Sequence, residues 1–495
     1  MNESATAAPS RPAPNFRGRL ALVFLFPLLL HLAGLGTLPL IDRDEPRFAE
    51  ATREMRAGGD WLVPHFNNHY RFDKPPLTYW AQALMCRVFG ESERAVRLPS
   101  VLASALTSLL LYLWGRRVAG EAVGVWAALI FATALQVVVH SKLAVADSLL
   151  VLAVTLGAWA GWEMGRRVTE ENAARRRGFA LLFTAALALG FLAKGPIGWL
   201  PFGMVAAVRV RRGRGTPGWG AACGLLVVAA GLVAVWGVPA LLSTHGEYWR
   251  EGIGKHVIAR GLTTFEGHGG GGVALYLVLL PFYFLTVFLS FFPWSLWLPW
   301  LARRAWADRG DDLTAYLLGG IAVVFGLFTF YKTRLPHYTL PAFPLLALLL
   351  AREWHRAARP IRPFRRAVLG VTAFAALAAG LAFPIVRQYS PAPQLLAQVG
   401  GALRPEMEFA AVDYDEPSLV WYFRTRVNGF CAAMPPAELP AFMAQPGPRF
   451  CILPADTAGR LFAAPPAGCR WAGEFSGFNV VNARFVHVRL LLKEH

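Results

Sequence analysis

Long apolar runs broken by short arginine-rich segments dominate the chain. The first runs from Leu20 to Leu40, preceded by Arg17 and Arg19, and is long enough to cross about 30 Å of hydrocarbon. It lacks an A-x-A cleavage pattern, so it reads as an uncleaved span. Further spans are expected at roughly 96–114, 122–140, 147–164, 178–193, 196–209, 219–242, 273–301, 312–331, 338–351 and 367–386. Residues 1–16 are rich in Ala, Pro and Ser and read as a disordered tail. Beyond 387 the pattern shifts to shorter strand-like runs, Phe409–Tyr414, Phe450–Leu453 and Phe485–Leu492, with a helix-compatible stretch at Pro417–Arg424.

Composition agrees with this pattern. Of 495 residues, 55% are apolar and 16% charged, against about 25% charged in water-soluble domains. The fold class is therefore a polytopic α-helical membrane protein, 17–386, with a small α/β domain over 387–495. The net charge is 49 − 31 = +18, but the basic residues sit between apolar runs, which excludes a nucleic-acid partner. Arg116-Arg117, Arg166-Arg167, Arg175 to Arg177, Arg209 to Arg214, Arg303-Arg304 and Arg352 to Arg366 all fall on one side. The positive-inside rule makes that side the cytoplasm. The N-terminus is then inside, the C-terminus outside, and loops 41–95 and 243–272 face outward with the tail. The five cysteines form no CxxC pair; three lie in the tail, leaving room there for one disulfide.

The outer loops hold the candidate chemistry. Asp42, Asp44 and Glu45 directly follow the first span, and Pro46 suits the first turn of an amphipathic helix over 46–57 that Gly58-Gly59 ends. A second helix is expected from Pro75 to Phe89. An N-cap carboxylate accounts for Asp44, and interfacial snorkelling for Lys74. Asp147 opens a span, and Lys194 sits in Ala-Lys-Gly-Pro between two apolar runs. Lys332, Arg334, His337 and Tyr338 crowd a very short outer connection, against the usual charge bias. The loop 243–272 carries Lys255, His256, Arg260, Glu266 and His268. Its histidines make no i, i+4 pair and no H-E-x-x-H, so a divalent metal stays open and no cofactor is demanded. Carboxylates and cations thus gather at one membrane face, where cations suit a phosphate and carboxylates suit a hydroxyl nucleophile.

The ordered blocks Asp44-Glu45-Pro-Arg47-Phe-Ala-Glu50, Gly59-Asp60-Trp61-Leu-Val-Pro64, Phe72-Asp73-Lys74-Pro75-Pro76-Leu-x-Tyr79-Trp80, Ala193-Lys194-Gly195-Pro196 and Lys332-Thr-Arg-Leu335-Pro336-His-Tyr338 resemble the signature of the integral-membrane GT-C glycosyltransferases. The likeness is strongest to the lipid A aminoarabinose transferase branch, itself related to protein O-mannosyltransferases, and it covers about residues 20–350. It implies about 11–13 spans, interfacial periplasmic helices, and transfer of a sugar from a polyprenyl-phosphate donor, such as undecaprenyl phosphate, at the periplasmic face of the bacterial inner membrane. The acceptor it implies is lipid A, another glycolipid or a glycan. It makes Asp44 the catalytic carboxylate, with Glu45 and Asp147 beside it. It assigns Lys74 and Arg260 to the carrier phosphate, with Tyr338 in the cavity. Arg47, Lys194, Lys332, Arg334, His337 and His256 are further cavity candidates. Many members carry Glu for Asp73 and Tyr for Phe48. Two competing functions are a protein O-mannosyltransferase-like enzyme with a polypeptide acceptor and a non-enzymatic transporter of lipid-linked sugar. The second is disfavoured because no internal repeat is visible.

Overall fold

The computed structural model describes residues 16–166, 173–213, 216–259, 273–480 and 483–495. Its first ten helices are α1 (Phe16–Leu32), α2 (Asp44–Gly58), α3 (Leu77–Phe89), α4 (Glu93–Ala119), α5 (Glu121–Ala132), α6 (Leu135–His140), α7 (Asp147–Met164), α8 (Ala173–Lys194), α9 (Leu200–Arg212) and α10 (Trp219–Ser243). Among the described residues, five stretches are long and apolar enough to cross a membrane: Glu93–Ala119, Ala173–Arg212, Trp219–Ser243, Asp312–Phe330 and Arg362–Gln388. The protein is a multi-pass membrane protein.

The first span is shorter than its apolar run. The helix α1 stops at Leu32, and Gly34 adopts a left-handed conformation with φ +72°. Residues 33–40 then leave carbonyls without helical partners, which an apolar environment penalises. Two buried cations supply them. Lys142 donates to the carbonyls of Leu30, His31 and Ala33 at 2.7–2.9 Å. Arg97 donates to those of Leu35, Leu38 and Pro39 at 2.6–2.9 Å.

The expected span 273–301 is also corrected. It breaks into Val273–Val278, Phe282–Ser290, a 3₁₀ turn Trp294–Trp297 and Leu298–Ala307. Pro281, Pro293 and Pro299 stand at the breaks, where each removes a helix donor. The runs 178–193 and 196–209 become α8 and α9, joined by a 3₁₀ turn Gly195–Trp199. That turn packs backbone on backbone: a Cβ added at Gly198 would lie 1.9 Å from the Gly190 carbonyl carbon.

The loop 41–95 folds on itself. Beside α2 and α3 it forms a hairpin of β1 (His65–Phe66) and β2 (His69–Tyr70). The turn residues Asn67 and Asn68 have φ of 55° and 63°, as a two-residue type I′ turn requires. Glu54 of α2 accepts both turn amides, at 2.7 and 3.0 Å.

The C-terminal domain is a sheet of β3 (Glu408–Ala411), β4 (Cys431–Ala433), β5 (Arg449–Pro454), β6 (Cys469–Asn479) and β7 (Arg484–Lys493), in the order β4-β3-β5-β7-β6. The strand β3 runs parallel to β4 and β5; β7 is antiparallel to β5 and β6. Helices cover both faces, with Leu395, Leu419 and Phe423 on one and Leu439, Met443 and Ala458 on the other. The first face shares its core with Leu40, Ala49 and Val96, so the domain is packed onto the loop. All five cysteines are free, so the tail disulfide does not form; Cys431 and Cys451 are buried thiols.

Candidate active site between two cavities

Four helix ends meet above the bundle. The carboxyl of Asp44 sits in the first turn of α2 and that of Asp147 in the first turn of α7. Both places favour negative charge, because the helix dipole presents its positive end there. Lys194 closes α8, at the end that favours a cation. The turn Pro336–Ala342 brings in His337 and Tyr338.

These residues line a polar cavity of about 220 Å³, together with Arg47, Phe48, Arg71, Asp73, Lys74 and Thr333. Asp44 is exposed into it and makes no hydrogen bond or ion pair among the described residues, nor does Arg47. No side-chain cap bond closes α2, which removes the capping account of Asp44. Asp147 is held differently. Its Oδ1 lies 2.6 Å from Lys194 Nζ and 3.9 Å from His337 Nε2. Burial, with Lys194 and His140 nearby, pushes the His337 imidazole down to about 3, so it is neutral at ordinary pH despite Asp147. His140, Asp147 and His337 present ligand atoms within 4.8 Å of one another, a set that could hold a divalent cation if Lys194 gave way.

A second cavity, of about 290 Å³, opens beside the first. Its walls are apolar, from Phe191, Trp199, Val233, Trp236, Leu241 and Tyr248 among others, between α8, α10 and the loop. Asp73, Lys74, Lys194 and Tyr338 line both cavities. Ala234 and Val238 of α10 line it while remaining exposed, so the groove opens toward the lipid side. Tyr248 meets Phe72 and Trp236 edge-on at 5.2 and 5.6 Å, which fixes the loop beside Lys74.

The expected site is only partly assembled. Glu45 does not face the cavity: it is 2% exposed and forms a two-pronged pair with Arg97, Nε to Oε1 at 2.8 Å and Nη2 to Oε2 at 2.7 Å. It also accepts the amides of Ile41 and Ala144. Its catalytic assignment is corrected to that of a tie between the start of α2 and the segment leading to Asp147. Arg334 is turned from the cavity and donates to the carbonyls of Tyr276, Thr329 and Tyr331. Lys332 is exposed outside both cavities. Arg260, and the side chain of His256, lie outside the described residues.

Arg71 and Arg97 had no place in the sequence reading. Arg71 lies over the Phe48 ring, donates to Tyr79 Oη at 3.0 Å and pairs with Asp73 at 3.2 Å. Its only sequence signal is a cation two residues before Asp73. Arg97 stands one turn into an apolar helix, an unusual place for a charge.

The surroundings of this site have known counterparts. Residues 73–237 match the family described as dolichyl-phosphate-mannose-protein mannosyltransferase. The chain is 33% identical over 344 residues to an undecaprenyl phosphate-α-4-amino-4-deoxy-L-arabinose arabinosyl transferase of Edwardsiella ictaluri, covering 68% of this chain and 59% of that one. It is likewise 33% identical over 326 residues to the protein so named in Pseudomonas aeruginosa strain LESB58, covering 65% and 57%. The chain thus spans under three fifths of the length of these curated relatives. Its fold superposes on that of ArnT from Cupriavidus metallidurans bound to undecaprenyl phosphate, with a TM-score of 0.76 at 19% identity, covering 96% of this chain and 98% of that one. In sequence the chain is similar to these arabinosyl transferases over about two thirds of its own length, and in fold to the Cupriavidus metallidurans protein over nearly all of it.

Proposed function

We propose that this chain is a glycosyltransferase that moves a sugar from a polyprenyl-phosphate donor to an envelope acceptor, such as lipid A or another glycolipid. The observation that carries this reading is the pair of cavities with Lys74 and Lys194 at their junction. A polyprenyl phosphate has the matching layout: an apolar tail for the groove, an anion for the cations, a sugar for the polar cavity. The names of the relatives, which carry undecaprenyl phosphate and a transferred pentose, support the donor class.

In this reading the bond between the sugar's anomeric carbon and the phosphate oxygen breaks as the acceptor attacks from the opposite face. Charge grows on the departing lipid phosphate. Lys74 and Lys194 stabilise it in a partly dry site. Asp44, which makes no hydrogen bond or ion pair among the described residues, takes the proton of a hydroxyl acceptor. If the acceptor is itself a phosphate, the nucleophile is already anionic, and Asp44 orients it with Arg47. Asp147 holds Lys194 in register and does not serve as the base, because its oxygen is already engaged. The site lies at the periplasmic face of the inner membrane, with the N-terminus in the cytoplasm and the C-terminal domain in the periplasm. The one-sided arginines support that orientation.

A polypeptide acceptor is the second reading, favoured by the protein mannosyltransferase family that matches residues 73–237. That match spans the donor-side residues Lys74, Asp147 and Lys194 and stops short of the tail. Direct comparison of a lipid-linked and a peptide acceptor separates the two.

The donor assignment is tested by carrier affinity. Gly237 lines the groove, and a Cβ there would meet nothing within 4 Å. Gly237→Trp fills the groove and should abolish polyprenyl-phosphate binding, while a short-chain sugar phosphate still binds. Unchanged carrier affinity in this variant would remove the groove from the site.

A further inference from the structure

On the arginine-rich face of the bundle, remote from Asp44 and Lys74, lies a cleft of about 810 Å³, larger than either cavity above. It runs between α9, the helices Phe282–Ser290 and Leu298–Ala307, and the helix Asp312–Phe330. Its floor is made of small residues of the last of these, Ala315, Gly319, Ala322 and Gly326, spaced to share one helix face. Stripes of this kind usually receive a closely packed neighbour in a membrane. Here Val208 of α9 already packs on Gly319, 2.7 Å from where a Cβ would lie, whereas a Cβ at Gly326 would meet nothing within 4 Å, so the floor is open at the Gly326 end alone.

The other end carries three cations. Arg212 is engaged by Asp312 at 2.7 Å and by the Gly310 carbonyl. Arg211 is exposed and makes no hydrogen bond or ion pair among the described residues. Arg309 lies 5.0 Å from the exposed Trp306 ring and donates to the Trp306 carbonyl; it meets no carboxylate among the described residues. An apolar slot that ends on two guanidiniums with no carboxylate partner among the described residues is complementary to a single amphiphile with an anionic head.

We infer that this cleft is a binding site for an anionic phospholipid, its phosphate on Arg211 and Arg309 and an acyl chain reaching past Val208 to the open floor at Gly326. Basic pockets between membrane helices take such head groups. An apolar partner helix would fill the slot but offer nothing to the two arginines, which meet no carboxylate among the described residues. The site is independent of the transferase reading, since it shares no residue with either outer cavity.

The test is native mass spectrometry of the purified full chain after exchange into phosphatidylglycerol or phosphatidylcholine. The wild type should retain phosphatidylglycerol in preference by about tenfold or more, the scale set by two arginines near an anionic lipid. Arg211→Gln with Arg309→Gln should abolish that preference. Gly326→Leu, which fills the open end, should release the lipid from protein that remains monodisperse; Ala322→Leu serves the same purpose should Gly326→Leu misfold. No preference in the wild type would overturn the inference, as would a preference untouched by the arginine pair or by the cleft-filling variant. Disulfide-linked dimers of Gly326→Cys would overturn it too, by giving the cleft to a second copy of the chain.

Discussion

Adjacent residues in the loop do opposite work. Asp44 is exposed to the polar cavity and makes no hydrogen bond or ion pair among the described residues; Glu45 is buried and accepts four hydrogen bonds. Asp44→Asn should therefore lower transfer by roughly 10²–10⁴-fold, the usual worth of a general base. Its thermal stability should stay within about 0.5 kcal/mol of wild type, as for surface changes away from special features. Glu45→Gln should do the reverse, costing about 3–5 kcal/mol because Arg97 is left buried without its counter-charge. A calorimetric scan alongside an activity assay separates the two; equal stability loss in both variants would refute the division. Lys74 and Lys194 form a second pair. Removing either should weaken carrier binding by about 1.5–3 kcal/mol, and the double variant should fall short of the sum, since both would hold one phosphate. The sequence displayed Asp44, because a charge directly after an apolar span stands out, whereas Lys74 was singled out by the family motif around it. It could not display the division of labour between Asp44 and Glu45. That depends on Arg97, which has a role only because α1 ends at Leu32 and frees the carbonyls after it.

At the scale of elements, α2 carries Asp44 on one side and the C-terminal domain on the other. Arg424 reaches Glu50 and Glu54; Arg53 bonds Glu50, the Trp421 carbonyl and Glu91, and lies over the Trp421 ring. The hairpin tip adds to the domain's edge strand, with Asn67 exchanging bonds of 2.7 and 2.8 Å with the Cys431 carbonyl and amide. At the loop's start, Asp42 accepts the Ser418 amide at 2.8 Å. Burial, aided by Glu416, raises the Asp42 carboxyl to about 7, against the pull of the Ser418 bond. A carboxyl raised in the folded state favours the protonated form. Its contribution is therefore complete below about 3.8 and fades as pH rises through about 7. The melting temperature of the wild type should fall across that upper range, and Asp42→Asn should remove part of the fall, the rest belonging to Glu50, whose carboxyl burial also raises to about 7. A wild-type profile that is level between about pH 6 and 8 would contradict this. The runs at 409–414, 450–453 and 485–492 marked β3, β5 and β7, because a short apolar run bounded by turn residues is a local signal. The short edge strand β4 was not legible, since three residues carry no period. Nor was the β1–β2 hairpin, whose Asn67-Asn68 turn is visible only once Glu54 is seen to accept its amides.

Across the whole molecule, the chain reads as a two-faced bundle: arginines and the lipid cleft at one membrane face, the loop, the site and the sheet domain at the other. Membrane class and the grouping of α2, α7, α8 and residues 331–338 at one face followed from hydropathy and charge alternation. The groove did not, because Phe191, Val233 and Trp236 are ordinary span residues until α8 and α10 part around them. Cysteine labelling from each side should modify Asp44→Cys only from the periplasm and Arg211→Cys only from the cytoplasm; the reverse pattern would invert the proposed orientation. The central claim is transfer from a polyprenyl-phosphate donor at the junction of the two outer cavities. Its most direct test incubates the purified chain in lipid with a polyprenyl-phosphate sugar labelled in the sugar, together with an envelope lipid extract, and follows both products by mass spectrometry. The account predicts label in an acceptor, one free polyprenyl phosphate for each sugar moved, and neither product with Asp44→Asn. Recovery of the intact donor, moved across the bilayer or left where it was, would contradict it.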